Sequence, residues 1–207
     1  MTNRPTSISR TALLGIAVLA ACGTVTKIPN AWRNPAHEGM PFQKIFVIGV
    51  GKNEGNRRLF EDRFAAVLSG QGGVASPSYG ALAQSERLTE EQVRGAIEGG
   101  GYDGVIVSRL LGVEEETEYV PPRTYTAPRR YGGYYNYYGT TWDTVHEPGY
   151  FTTHTIVRLE TNLHDVGTGE LAWSGQSETF DPSSLTDIID SVTQAVAKRL
   201  GEERLIP

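Results

Sequence analysis

The sequence predicts an α+β fold: a mixed β-sheet with helices packed on one face, in the order β-α-β-α-β-β-β-α. Three observations predict it. Residues 44–50, 104–119, 151–166 and 171–176 carry an apolar run or enough apolar–polar alternation to read as strands. Residues 55–71, 89–98 and 185–200 repeat their apolar positions at helical spacing. Glycine clusters and turn-forming residues separate these segments.

Taken in order, Gly23 to Phe42 holds Pro29, Pro35 and Pro41 with little periodicity, which predicts an extended tether. A chain starting near Phe42 should then keep its core. Lys44–Val50 is a β-branched apolar run, a strand buried on both faces. Gly55 to Gln71 places Leu59, Phe60, Phe64, Val67 and Leu68 on one helical face and stops at a glycine cluster. A short strand follows near Val74. Thr89-Glu90-Glu91-Gln92 is a capping box, opening a helix that runs to about Glu98 before Gly99-Gly100-Gly101. Tyr102-Asp103-Gly104 introduces a strand to about Tyr119. Its partner, Phe151 to Val166, puts Thr155, Val157, Leu159, Thr161 and Leu163 on one side. A turn at Asp165–Glu170 leads into the strand from Leu171. The last helix, about Leu185 to Leu200, aligns Ile188, Ile189, Val192, Val196 and Leu200 and ends at Gly201.

The amino terminus sets the compartment. Arg4 and Arg10 precede an apolar run from Ala12 to Ala21, too short for the ~20 residues that cross a bilayer. It matches the roughly 7–15-residue apolar region of a secretory signal peptide, here residues 1–21. Leu19-Ala20-Ala21-Cys22 resembles the lipobox of bacterial lipoproteins, which implies lipidation of Cys22 after cleavage and a domain held outside the cytoplasm. Cys22 is the single cysteine, so no intrachain disulfide can form. Gly23 follows it where such lipoproteins carry aspartate for inner-membrane retention, so the resemblance implies an outer-membrane anchor with the domain in the periplasm. Domain organisation reads as 1–21 signal peptide, 22–42 lipidated amino terminus and tether, and 43–207 one α+β domain.

Cleavage removes Arg4 and Arg10 and moves the net charge from −5 to −7. A surface of that sign has no footprint for nucleic acid. The element order, Tyr102-Asp103-Gly104-Val105-Ile106-Val107, and Asp165-Val166-Gly167-Thr168-Gly169-Glu170-Leu171-Ala172-Trp173-Ser174-Gly175 together resemble a group of small envelope lipoproteins. Their fold is similar to that of the curli-secretion lipoprotein and of lipoprotein activators of peptidoglycan synthases. The resemblance spans most of residues 44–202, and its motifs are structural patterns without a catalytic signature.

Chemistry-bearing constellations are few. Gly49, Gly51 and Gly55 follow a strand and precede a helix, but their spacing is neither that of a dinucleotide loop nor that of a P-loop, so a tight turn is expected. Asp143, His146 and Glu147, with His154 and His164, lack the spacing of a zinc protease. No nucleophile elbow is present, and Glu114-Glu115-Glu116 reads as a solvated strand edge.

Tyr119 to Tyr150 stands apart. It contains every tyrosine except Tyr79 and Tyr102, and should project as a long hairpin insertion. Arg129, Arg130, Tyr131, Tyr134, Tyr135, Tyr137, Tyr138 and Trp142 are its candidate partner-binding residues, because Tyr, Trp and Arg dominate binding hot spots. The sequence thus points to a non-catalytic envelope lipoprotein, an assembly or interaction module without cofactor or metal. Its expected partners are the membrane, through lipid, and an envelope protein or peptidoglycan. The alternative is an envelope hydrolase with a site around Asp143 and His146.

Overall fold

Where the sequence predicts a linker, Val25–Arg33 instead form a strand, β1. The computed structural model describes residues 24–37, 39–82, 89–128 and 142–207. β1 pairs antiparallel with the later strand Leu171–Phe180, from Val25↔Phe180 to Arg33↔Trp173. The register slips between Lys27 and Asn30, around Pro29, the residue that cannot donate to a ladder. Ile28 packs on the main core, and the Thr26 and Thr179 hydroxyls meet at 2.7 Å. The tether is therefore a sheet edge, ordered by contacts 150 residues away in sequence that no local pattern announces.

The remaining elements follow the predicted order. They are β2 (Lys44–Val50), α1 (Glu54–Ser69), β3 (Val74–Pro77), α2 (Glu90–Gly100), β4 (Gly104–Val120), then β7 (Tyr150–Asp165), β8 (Leu171–Phe180) and α3 (Leu185–Glu202), with a hairpin of β5 (Arg123–Pro128) and β6 (Trp142–Glu147) inserted after β4. The six-stranded sheet runs β1-β8-β7-β4-β2-β3. Its β4, β2 and β3 are mutually parallel, and β1, β8, β7 and β4 alternate antiparallel.

Cap chemistry starts each helix. Asn53 accepts from the Asn56 N–H at 3.0 Å, and Ser184 accepts from the Asp187 N–H at 3.1 Å. At α2 the Thr89 hydroxyl accepts from the Gln92 N–H while the Gln92 side chain accepts from the Thr89 N–H, the reciprocal box foreseen from the sequence. Gly101 ends α2 at φ +63°, as its position in the glycine run implies. Helix α3 continues through Gly201 to Glu202, and Arg204 takes the left-handed turn at φ +57°.

The helices do not share one face. Ile45 and Val47 of β2 join α1 and α3 in the main core, whereas Phe46 and Ile48 point to the other side, where Val93, Ala96 and Ile97 of α2 cover them. The strand order explains the departure. From β2 the chain crosses to β3 at the sheet's edge, and from β3 it returns past β2 to β4. Two crossovers of the same hand running in opposite directions put their helices on opposite faces.

The quoted motifs are structural. The Asp103 carboxylate accepts from the Gln43 and Lys44 N–H groups at 2.7 and 2.8 Å, pinning the start of β4 to that of β2. Asp165 accepts from Gly167 and Thr168 to close the turn before β8, with Gly169 at φ +74°. The fully buried Trp173 ring lies over Gly175, where a Cβ would collide with it.

Candidate functional site

The feature that most sets this domain apart is an arm. β4 and β7 stay paired from Gly104↔Asp165 out to Val120↔Tyr150. The sheet on either side stops earlier. β2 leaves β4 at Val50↔Arg109, and β8 leaves β7 at Phe180↔Ile156. From the Glu114↔Ile156 pair onward the two strands run alone, six residues at ~3.4 Å each, about 20 Å of free ribbon. Pro121-Pro122 and Pro148-Gly149 then interrupt the ladder, since proline brings no N–H, and β5 pairs with β6 beyond the break.

Alternation sorts the arm's side chains. Val113, Glu115, Thr117 and Tyr119 share one face with Val157, Thr155, Thr153 and Phe151. At its outer end the Tyr119 and Phe151 rings lie 5.0 Å apart, yet remain 52% and 72% exposed. Gly149 leaves room for the Tyr119 hydroxyl, which any Cβ there would meet. Tyr150, on the opposite face, is 60% exposed. Exposed aromatic rings gathered in this way are a candidate contact surface.

The second face is ionic near the arm's root. Glu114, Glu116 and Glu118 lie on it with His154 and Ile156. Arg158 pairs with Glu114 and, at 2.8 Å, with Glu178, and these hydrogen bonds raise its pKa further above its ordinary value. The His154 ring meets Asp181 at 2.6 Å. That hydrogen bond and the Asp181 charge raise the His154 pKa, with Glu118 and Glu116 adding to it. Asp181 is held low by the same bond and by the Thr155 N–H at 2.8 Å. It occupies φ +44°, which aspartate tolerates better than most residues.

Because β4 and β7 outrun the helices, a cavity of about 340 Å³ opens under the arm's root, between the amino-terminal ends of α1 and α3. Leu110, Val113, Val157, Leu185 and Ile188 form its apolar walls, and Lys52, Asn53 and Arg57 stand at its rim. The end of β2 and the short connection to α1, Gly49 to Asn53, border the opening, and none of the glycines Gly49, Gly51 and Gly55 takes a positive φ. Glu61 fixes the end of β2 from below. Its carboxylate, fully buried, accepts from the Gly49 N–H at 2.9 Å, the Ser78 hydroxyl at 2.8 Å and the Tyr79 N–H at 3.1 Å. Sequence reasoning passed over Glu61. The signal was present, since Glu61, Phe64, Ala65 and Leu68 form the i, i+3, i+4, i+7 stripe that α1 buries.

Cys22, Arg129, Arg130, Tyr131, Tyr134, Tyr135, Tyr137 and Tyr138 lie outside the described residues. Trp142 begins β6 opposite Pro128, and Asp143 pairs with Ala127. His146 is exposed and its Nδ1 meets the Thr124 hydroxyl at 2.8 Å. His154 sits on the arm and His164 at the far end of β7 beside Val105, so the structure does not gather these histidines. Burial holds His164 below the ordinary imidazole pKa.

No family model matches the chain, and no curated protein matches it. Among solved structures it is similar to the PelC dodecamer from Paraburkholderia phytofirmans, at 13% identity and a TM-score of 0.46, covering 88% of this chain and 99% of that one. It is also similar to lipoprotein GNA1162 from Neisseria meningitidis, at 14% identity and a TM-score of 0.42, covering 77% and 99%.

Proposed function

We propose that this protein is an exported lipoprotein, held at the outer membrane by acyl chains on Cys22, whose periplasmic domain is a non-catalytic assembly module for an envelope protein. The observation that carries the reading is the arm, a paired ribbon that leaves the sheet and ends in the aromatic-rich insertion. A ribbon that beyond Ile156 adds no buried apolar residue yet carries exposed rings suits presentation to a partner. The lipobox Leu19-Ala20-Ala21-Cys22 supports the anchor, and no described helix is long and apolar enough to cross a membrane. One described carboxylate, Glu61, is wholly buried, and its hydrogen bonds are spent on bracing a loop.

Two measurements test this. Labelled palmitate should enter the full-length chain and fail to enter Cys22→Ser; equal labelling overturns the anchor. Cross-linked pull-down of the lipoprotein from cells should lose its partner when residues 121–149 are replaced by Asn-Gly, while Asp143→Ala with His146→Ala retains it. A partner kept after the replacement places the binding surface elsewhere, and peptidoglycan fragments recovered in place of protein overturn the choice of partner.

A further inference from the structure

Strand register relates the arm to the amino terminus. Val25 pairs with Phe180, Phe180 pairs with Ile156, and Ile156 pairs with Glu114. These residues form one row across the sheet, the row at which the arm begins. β1 is antiparallel to β4, so the chain preceding Val25 heads in the direction in which β4 runs out to Val120. The amino terminus and the arm therefore leave the domain at the same end. They are three strand spacings apart, about 14 Å.

Reach then decides what the arm meets. Only Gly23 and Thr24 separate Cys22 from Val25. Three residue steps, fully extended, span at most about 10 Å. The arm runs about 20 Å beyond the same row before its ladder breaks. A cysteine carrying acyl chains sits at the membrane surface, so in a domain standing with its strands along the membrane normal the outer half of the arm lies at that surface or below it. Tyr119, Tyr150 and Phe151 reach this level at the outermost pairs, with Glu118 one pair behind them, while Glu114 and Glu116 stay nearer the domain. Exposed aromatic rings with a polar edge or neighbour are the residues that settle at the boundary between headgroups and hydrocarbon.

We propose that the arm is a membrane-contacting element, seating Tyr119, Tyr150 and Phe151 in the interface of the lipid leaflet that holds Cys22. This rests on the reading of Cys22 as the lipid anchor. It narrows the module's partner to proteins at that membrane, because β5 and β6 continue from the seated end. Anchor and arm give two points of attachment, which fix the orientation of the domain as a single tether does not.

The test uses the full-length, host-acylated chain in vesicles of phosphatidylethanolamine and phosphatidylglycerol. Acylated Cys22 leaves no free thiol, so Phe151→Cys, at a site already exposed, takes one environment-sensitive fluorophore. Thr168→Cys, in the exposed turn at the opposite end of the sheet, takes the same fluorophore as reference. The expected result is blue-shifted emission at position 151 that brominated lipid quenches, with neither effect at 168. Acylated Cys22 by mass spectrometry with an unshifted, unquenched label at 151 overturns the arm proposal alone. Quenching at both positions also overturns it, since the domain would then lie flat. A free Cys22 overturns the anchor reading beneath it.

Discussion

The buried carboxylate of Glu61 accepts a hydrogen bond from the N–H of Gly49 at 2.9 Å, tying the middle of α1 to the end of β2. The same carboxylate takes the Ser78 hydroxyl and the Tyr79 N–H, so one side chain braces the end of β2 and the turn that follows its parallel neighbour β3. Arg57 supplies opposite charge, its Nε 3.9 Å away.

Glu61→Ala leaves those donors without an acceptor in a dry site. The expected cost is about 3 kcal/mol, most of it desolvation of unpaired groups. Glu61→Gln keeps one acceptor oxygen and should cost less. Urea midpoints measure both, and a loss in Glu61→Gln as large as in Glu61→Ala would show that the charged carboxylate, which an amide of the same volume does not replace, carries the site.

His154 and His164 should titrate on opposite sides of the ordinary imidazole value of 6.5, the first above it and the second below. For His154 folding raises proton affinity, so its contribution to stability is complete below 6.5 and fades as pH rises through the folded value. Asp181 is lowered, so its contribution fades as pH falls below 3.8 through the folded value. The pair therefore supports the fold most between these limits. Both groups are exposed, so the effect on stability is small and proton NMR is the suitable reading. Asp181→Asn, which still tolerates the positive φ, should return His154 toward 6.5.

A chain beginning at Phe42 lacks β1. It should lose the Thr26–Thr179 hydroxyl contact and the cover of Ile28, and leave the edge of β8 bare. The expected outcome is a lower melting temperature and concentration-dependent association, seen by circular dichroism and light scattering. Unchanged melting would restore residues 25–33 to the role of a tether.

Joining Val120 to Tyr150 by Asn-Gly should change stability by no more than about 0.5 kcal/mol. The two residues already face each other in the ladder, and a two-residue turn of this type suits that spacing. Arg123 to Thr126 are exposed, so their removal uncovers no core. Calorimetry that finds a large loss would show that the insertion packs on the sheet.

Much of the fold was legible because its signals are local. The Thr89–Gln92 box, the apolar run at Lys44–Val50 and the alternation of Val157, Leu159, Thr161 and Leu163 each declare an element within a few residues. β1 was hidden because Pro29 and a bulge break its alternation, and its order comes from β8, far along the chain. The face taken by α2 was hidden for a related reason, since it depends on strand order, which no helix encodes. Of the candidate site, the sequence marked the insertion by its tyrosines. It placed Tyr119 and Phe151 at the ends of partner strands but could not show that these run on alone, because where β2 and β8 stop is a property of the whole sheet.

Proline guards both edges of the sheet. Pro29 sits in the bulge of β1, and Pro77 closes β3, itself only four residues long. Neither edge offers a long, flat row of open donors and acceptors to another sheet. On the proposed anchor through Cys22, such domains would be confined to a leaflet and meet one another far more often than molecules free in solution. There they would collide without zipping into shared sheets, and any order they adopt would come from side-chain surfaces rather than from backbone ladders along those edges.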